Sequence, residues 1–195
     1  MRIAIFASGS GSNFEALMRD GVIRPEVKLL VCDKPGAKVL ERANQFELPS
    51  FVFSASDFLN KASCEKKILE ELRACEVDFI VLAGYMRLLG ETLLEAFPNR
   101  IINLHPSLLP LFPGKDAIGQ ALSAREKVTG VTAHFVDAGM DTGAVIAQER
   151  VEILPEEDKA QLEERIHQVE HRFYPAVVKK MMQKESEKRN EKSID

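Results

Sequence analysis

Arg2-Ile-Ala-Ile-Phe-Ala-Ser-Gly-Ser-Gly-Ser-Asn-Phe14 follows Met1, and Val27-Lys-Leu-Leu-Val-Cys-Asp33 comes after it. The first run is apolar through Ala7 and then breaks into a turn rich in glycine and serine. Residues 13–20 carry apolar positions at helical spacing, and residues 27–32 return to a short apolar run. A buried strand, a tight turn, a helix and a second buried strand make the repeating unit of a parallel sheet covered on both faces. Its crossovers are right-handed. The alternation predicts strands at 2–7, 27–32, 50–53, 78–83 and 100–104, and helices at 13–20, 37–46, 61–75 and 117–125. The pattern then changes. Residues 130–136 and 144–153 read as two strands joined by Asp137-Ala-Gly-Met-Asp-Thr-Gly143, a connection suited to an antiparallel pair. Residues 156–182 hold a long amphipathic helix, with a kink expected near Pro175. Residues 184–195 lack apolar periodicity, so a disordered tail is expected after one domain spanning residues 1–183. The expected class is α/β.

Bulk chemistry narrows the partners. At 195 residues, with 45% hydrophobic and 29% charged side chains, the chain can bury one sizeable core. A net charge of −4 without a basic stripe points away from nucleic acid and toward a small molecule. The three cysteines, Cys32, Cys64 and Cys75, form no Cys-x-x-Cys pair. Neither a disulfide framework nor a cysteine zinc site is expected, and a cytoplasmic setting fits. No run approaches the ~18 apolar residues of a membrane span, so no membrane partner is expected.

Three segments can carry chemistry. The first is Ala7-Ser-Gly-Ser-Gly-Ser-Asn13, between a strand and a helix. Backbone N–H groups at a helix N-terminus cradle phosphate, and Ser12 and Asn13 add side-chain donors. A dinucleotide site is the competing reading. Gly9 and Gly11 fit its first two glycines and Asp33 its ribose acid, but Phe14 stands where the third glycine belongs. A plain tight turn is the third reading. The second segment is Asn103-Leu-His-Pro-Ser-Leu-Leu-Pro110, at the carboxyl end of a buried strand. Asn103 and His105 differ by two and point the same way in extended chain. An amide donor beside an imidazole suits acyl transfer, the amide for an oxyanion and the imidazole for a proton. A buried, satisfied strand histidine is the alternative. The third is Asp141 in Asp-Thr-Gly143, either an ordinary turn aspartate or a carboxylate that orients an imidazole.

Together, Ser8-Gly-Ser-Gly-Ser-Asn13, Leu82-Ala-Gly-Tyr-Met-Arg-Leu88, Ile102-Asn-Leu-His-Pro-Ser-Leu-Leu-Pro110 and Met140-Asp-Thr-Gly143 resemble the folate-dependent formyltransferase family, in its branch acting on glycinamide ribonucleotide. The likeness runs from Met1 to about Met182. It implies a single Rossmann-like domain, with a mostly parallel sheet flanked by helices, an antiparallel C-terminal strand pair and a long C-terminal helix. It implies transfer of the formyl group of 10-formyltetrahydrofolate, as co-substrate, to the amine of glycinamide ribonucleotide in purine biosynthesis, without a metal. By the resemblance, Asn103, His105 and Asp141 are the catalytic trio. Gly11, Ser12 and Asn13 hold the substrate phosphate, with Lys61, Pro106 and Glu170 also on the substrate side. Tyr85, Met86, Arg87, Leu88 and Leu89, with Leu94, Ile101, Val136, Ala138, Gly139 and Met140, line the folate pocket. It also implies a cis Leu109–Pro110 bond and sets His134 near the site, where a packed strand histidine is the equal alternative. Ser10, Ala133 and Ala144 depart from the family's usual residues and remove no catalytic group. The oligomeric state is left open.

Other readings stand beside this one. His167-Gln-Val-Glu-His171 has the inverted zinc-protease spacing, though no third ligand is marked by sequence. A solvated helix face and a substrate-facing Glu170 compete with it. A formyl-folate hydrolase would carry a regulatory domain before the first strand, and a formyltransferase acting on tRNA an RNA-binding domain. Neither is expected here. A nucleotide-binding module without catalysis would bind phosphate ligands and transfer nothing.

Overall fold

In the computed structural model, which describes residues 1–191, the apolar runs become neighbouring strands of one sheet. The strands are β1 (Ile3–Ala7), β2 (Val27–Cys32), β3 (Ser50–Val52), β4 (Phe79–Leu82), β5 (Ile101–His105), β6 (Val128–Phe135) and β7 (Val145–Glu152). The helices are α1 (Ser12–Arg19), α2 (Lys38–Gln45), α3 (Lys61–Ala74), α4 (Glu91–Ala96), α5 (Ala117–Ser123) and α6 (Lys159–Glu191). Sheet order among the described residues is β3-β2-β1-β4-β5-β6-β7. β1 to β5 are parallel, and β6 and β7 each pair antiparallel. The expected α/β class, antiparallel C-terminal pair and long C-terminal helix are all present.

Alternation along each central strand sorts the core into two layers. On β1, Ile3, Ile5 and Ala7 face a cluster shared with α1, α2 and α6, whose largest members include Phe14, Leu17 and Tyr174. Ala4 and Phe6 face the other side, against Ile68 and Leu72 of α3, Leu93 of α4 and Phe97 just after it. Each fully buried Ile, Leu or Phe is worth about 1.5–3 kcal/mol, so covering both faces is what holds the parallel sheet. Tyr174 fastens α6 to it. Its hydroxyl donates to Leu82 O at 2.8 Å, at the end of β4, and reaches Ile102 O at 3.3 Å, near the start of β5.

Two expectations need correction. The short helix α4 was not anticipated, because six residues give too few turns for apolar periodicity to show. The long helix does not stop near Met182. It passes through Pro175 as one element and continues to Glu191, so residues 184–191 are helical and not a disordered tail. Glu185 is buried and pairs with Arg100 at 3.0 Å, which ties this last stretch to the chain just before β5. Residues 192–195 of the expected tail lie outside the described residues.

The order of strands reverses between β1 and β4. Chain leaving β1 crosses toward β2 and β3, and chain leaving β4 goes the other way toward β5. The carboxyl ends of two such strands bound a natural crevice. Residues 8–13 and 83–89 emerge there, and β5 delivers residues 103–110 beside them.

Candidate active site

Gly11 shapes the turn after β1. It has φ +76°, and a Cβ there would lie 2.6 Å from the Val39 side chain, so only glycine fits. Val39 N–H donates to Gly9 O at 3.1 Å, and Arg42 Nε donates to Ser10 O at 2.9 Å, which hold the turn against α2. Ser12 opens α1. Asn13 Nδ2 donates to Glu170 Oε2 at 2.9 Å, and Asn13 Oδ1 is buried without a protein partner. Glu170 is buried on α6 and also takes His167 Nδ1 at 2.9 Å. The hydrogen bond to Glu170 holds His167 above its ordinary value of 6.5. Burial pushes His171, one turn on, below it. Among the described residues, no three His, Cys, Asp or Glu side chains are grouped as a metal site would require.

Asn103, His105 and Asp141 meet. Asn103 and His105 sit on β5, and antiparallel β6 places His134 opposite Asn103. Asp141 arrives on the loop between β6 and β7. Gly143 lets that loop close, since a Cβ there would lie 1.8 Å from Phe135 O. Asp137 organises its turn, accepting Gly139 N–H at 3.0 Å and the Thr142 hydroxyl at 2.6 Å. Asp141 itself takes φ +56°, a conformation Asp tolerates better than most residues. Its Oδ2 accepts Gly114 N–H at 2.8 Å and lies 3.3 Å from His105 Nδ1. Its Oδ1 lies 3.5 Å from His134 Nε2. Asp141 therefore both occupies a turn conformation and lies beside two imidazoles. Burial alone would raise its carboxyl. Hydrogen bonds from His134 and Gly114, with the nearby imidazoles, outweigh burial and hold it below the usual 3.8.

Hydrogen bonding also orients the rings. His105 Nε2 lies 2.8 Å from Phe112 O, so that nitrogen carries the proton it donates, and Nδ1 is left facing Asp141. His134 Nδ1 likewise donates to Phe135 O at 2.8 Å. Its Nε2 lies 3.2 Å from Asn103 Nδ2. A neutral His134 accepts from the amide, whereas a protonated one donates to Asp141, so the ring joins amide and carboxylate but serves one at a time. Asn103 carries two amide hydrogens. The bond to His134 uses one and leaves the other for the cavity.

That cavity, about 470 Å³, is lined by Asn103, His105, Pro106, His134 and Asp141. Tyr85, Met86, Arg87, Leu88, Leu89, Val136, Gly139 and Met140 complete much of its wall. Three expected folate-side residues do not line it. Leu94 and Ile101 lie behind it in the core, and Ala138 is exposed on the loop. Gly11, Ser12, Asn13 and Glu170 form a separate group joined through Asn13. Lys61 is exposed at the start of α3, at neither place.

Sequence reasoning left His134 undecided and missed the turn after His105 as a built element. Thr132 is fully buried. Its hydroxyl accepts Leu109 N–H at 3.1 Å and donates to Ser107 O at 2.6 Å, and Gln148 Nε2 bridges Leu109 O and Thr132 at 2.9 Å each. The Leu109–Pro110 bond within this turn is cis, as the resemblance implies. Alternate polar positions Thr132 and His134 among the apolar Val131, Ala133 and Phe135 were the available signal.

Residues 1–178 match the family described as Formyl transferase. A phosphoribosylglycinamide formyltransferase of Bacillus subtilis (strain 168) is 53% identical over 184 residues, covering 93% of this chain and 94% of its own. Among solved structures, glycinamide ribonucleotide transformylase 1 from Geobacillus kaustophilus aligns with a TM-score of 0.88 at 57% identity, over 92% of this chain and 97% of that one. Phosphoribosylglycinamide formyltransferase from Bacillus halodurans aligns with a TM-score of 0.90 at 50% identity, over 93% and 95% of the two chains.

Proposed function

The chain belongs to the formyl transferase family, and from that premise we propose that it moves the formyl group of 10-formyltetrahydrofolate to the amine of glycinamide ribonucleotide. The observation that carries this reading is the convergence of Asn103, His105 and Asp141 on one wall of a largely apolar cavity. An apolar pocket with a few convergent polar groups suits a flat, mostly apolar ring carrying one reactive centre. The Gly11–Ser12–Asn13 turn, with its helix N-terminus, suits the phosphate of the second substrate. Glu170, joined to Asn13, is the acid for that substrate's remaining polar groups.

The acceptor amine resembles an α-amino group, with a pKa of about 8, so a useful fraction is neutral near pH 7. Its lone pair attacks the formyl carbon, and the carbonyl oxygen takes up negative charge. The Asn103 amide hydrogen not used by His134 donates to that oxygen. Collapse re-forms the carbonyl, breaks the bond from carbon to the folate nitrogen, and leaves the formyl group on the amine. One proton leaves the attacking nitrogen and one arrives at the departing nitrogen. His105 Nδ1 and the Asp141 carboxylate, 3.3 Å apart, are the pair that holds and moves it.

Steady-state kinetics with both substrates test the reading. Turnover is expected only when both are present, with one formylated ribonucleotide formed per tetrahydrofolate released. Folate conversion without an acceptor would indicate a hydrolase. Phosphate-ligand binding without turnover would indicate a binding module.

A further inference from the structure

Ser8 lies at the start of the phosphate turn, buried, and the transfer chemistry above does not use it. Its polar groups are committed to three strand ends. The backbone N–H donates to Gly84 O at 3.1 Å. The hydroxyl donates to Asp33 Oδ1 at 2.5 Å and accepts Met86 N–H at 2.9 Å. Ser8 follows β1, Asp33 follows β2, and Gly84 and Met86 follow β4. One side chain thus ties three carboxyl ends together where the strand order reverses. The Asp33 carboxylate, a ribose acid in the dinucleotide reading, spends one oxygen on Ser8.

The segment it ties has little else to hold its middle. Gly84 turns the chain with φ +74°. Tyr85 packs edge-on against Phe6 at 5.2 Å, and Leu89 is buried at the far end. Between them Met86 and Leu88 are 77% and 54% exposed, with their apolar side chains on the cavity wall. A segment with so few packing contacts depends on its hydrogen bonds for position. The Met86 N–H bond to Ser8 is oriented in turn by Asp33, because a hydroxyl that donates to a fixed carboxylate presents its lone pair in a fixed direction.

We propose that Ser8 and Asp33 form a positioning pair which sets residues 84–89 for the folate substrate from within the phosphate turn. The inference rests on the folate reading of the cavity. It assigns neither residue to the reacting atoms.

The test is kinetic, using the full chain and four variants: Ser8→Ala, Asp33→Ala, Asp33→Asn and the double Ser8→Ala/Asp33→Ala. Ser8→Ala and Asp33→Ala are expected to raise the KM for 10-formyltetrahydrofolate about tenfold, the scale of one hydrogen bond. The kcat and the KM for the ribonucleotide should stay within about twofold, well under that hydrogen-bond scale. Asp33→Asn keeps an acceptor oxygen for the Ser8 hydroxyl and should stay near the wild type. The double variant should be no worse than either single one, since the pair acts as a unit. Wild-type folate KM in both alanine variants would overturn the inference. So would an Asp33→Asn enzyme as impaired as Asp33→Ala, or an equal fall in every kinetic constant and in melting temperature. If the wild type neither turns over nor binds tetrahydrofolate, the functional reading fails and this inference with it. A wild type that turns over beside unaffected variants overturns this inference alone.

Discussion

Asp141→Asn separates two roles that the structure superimposes on one residue. Asn tolerates the positive φ of 56° at this position nearly as well as Asp, and it keeps one acceptor oxygen for Gly114 N–H. Folding should therefore survive. What disappears is the charge. For the imidazolium formed when His105 Nδ1 takes up a proton, Coulomb attraction to the carboxylate 3.3 Å away in an effective dielectric of ~20 comes to about 5 kcal/mol, an upper bound because the carboxylate is partly solvated. Loss of about half of it, roughly 2.7 kcal/mol, is a hundredfold in rate. With the amide oxygen kept on Gly114 N–H, the amide NH2 can only donate toward His105 Nδ1, which favours the neutral ring and opposes uptake of a proton at that nitrogen. We expect kcat to fall about 10²-fold or more, the scale of lost acid–base participation. Affinity for the ribonucleotide should persist, because Gly11, Ser12 and Asn13 stand apart from the cavity. The assay is absorbance-monitored folate turnover, with calorimetric ribonucleotide binding and thermal melting as controls. The same substitution should change acid stability. The wild-type carboxyl is held below 3.8, so its contribution is complete above that value and is lost as pH falls through the lowered one. The variant should lack that component. An Asp141→Asn enzyme with wild-type kcat would reduce Asp141 to a turn residue and refute the reasoning.

Asn103→Ala should slow transfer about 10²–10³-fold, the usual cost of one oxyanion donor, while ribonucleotide affinity measured by calorimetry holds; wild-type turnover would remove Asn103 from the mechanism. The two helix histidines should titrate on opposite sides of 6.5 in NMR, His167 above and His171 below. A raised His167 contributes stability below its unfolded value that is lost as pH rises through the folded one, so Glu170→Gln should return His167 toward 6.5 and remove that component. Identical midpoints in the wild type would show that the contact between His167 and Glu170 is absent in solution. Deleting residues 184–195 should lower stability by up to about 1 kcal/mol, because Glu185 is buried against a half-exposed Arg100; an unchanged denaturant midpoint would mean that the end of α6 does not dock.

Elements whose signal is local were legible before the structure. β2 lies between Pro25 and Asp33 and is apolar except for Lys28, so its limits could be read directly. The glycine turn before α1 was legible because Gly11 needs a backbone conformation and a close approach that no other residue allows. What stayed hidden depends on partners far away in sequence. Glu185 sits in a run of Lys and Glu that looks solvated, and its ion pair with Arg100, far earlier in the chain, makes it part of the fold. His134 becomes part of the site because antiparallel pairing sets it opposite Asn103. A register shift between Ala133 and His134 lies beside it, and no residue pattern announces that irregularity. Asp33 looked like a nucleotide-binding acid because spacing alone cannot show that Ser8 already occupies it.

The most direct measurement follows the carbon itself. 10-Formyltetrahydrofolate labelled with a heavy isotope at the formyl carbon, mixed with enzyme and glycinamide ribonucleotide, is observed by carbon NMR through one turnover. Direct attack within the cavity predicts that the label moves into the formamide of the product at the rate tetrahydrofolate appears, with none in free formate. Label accumulating in formate while the ribonucleotide amine stays unmodified would contradict formyl transfer as the function of this site.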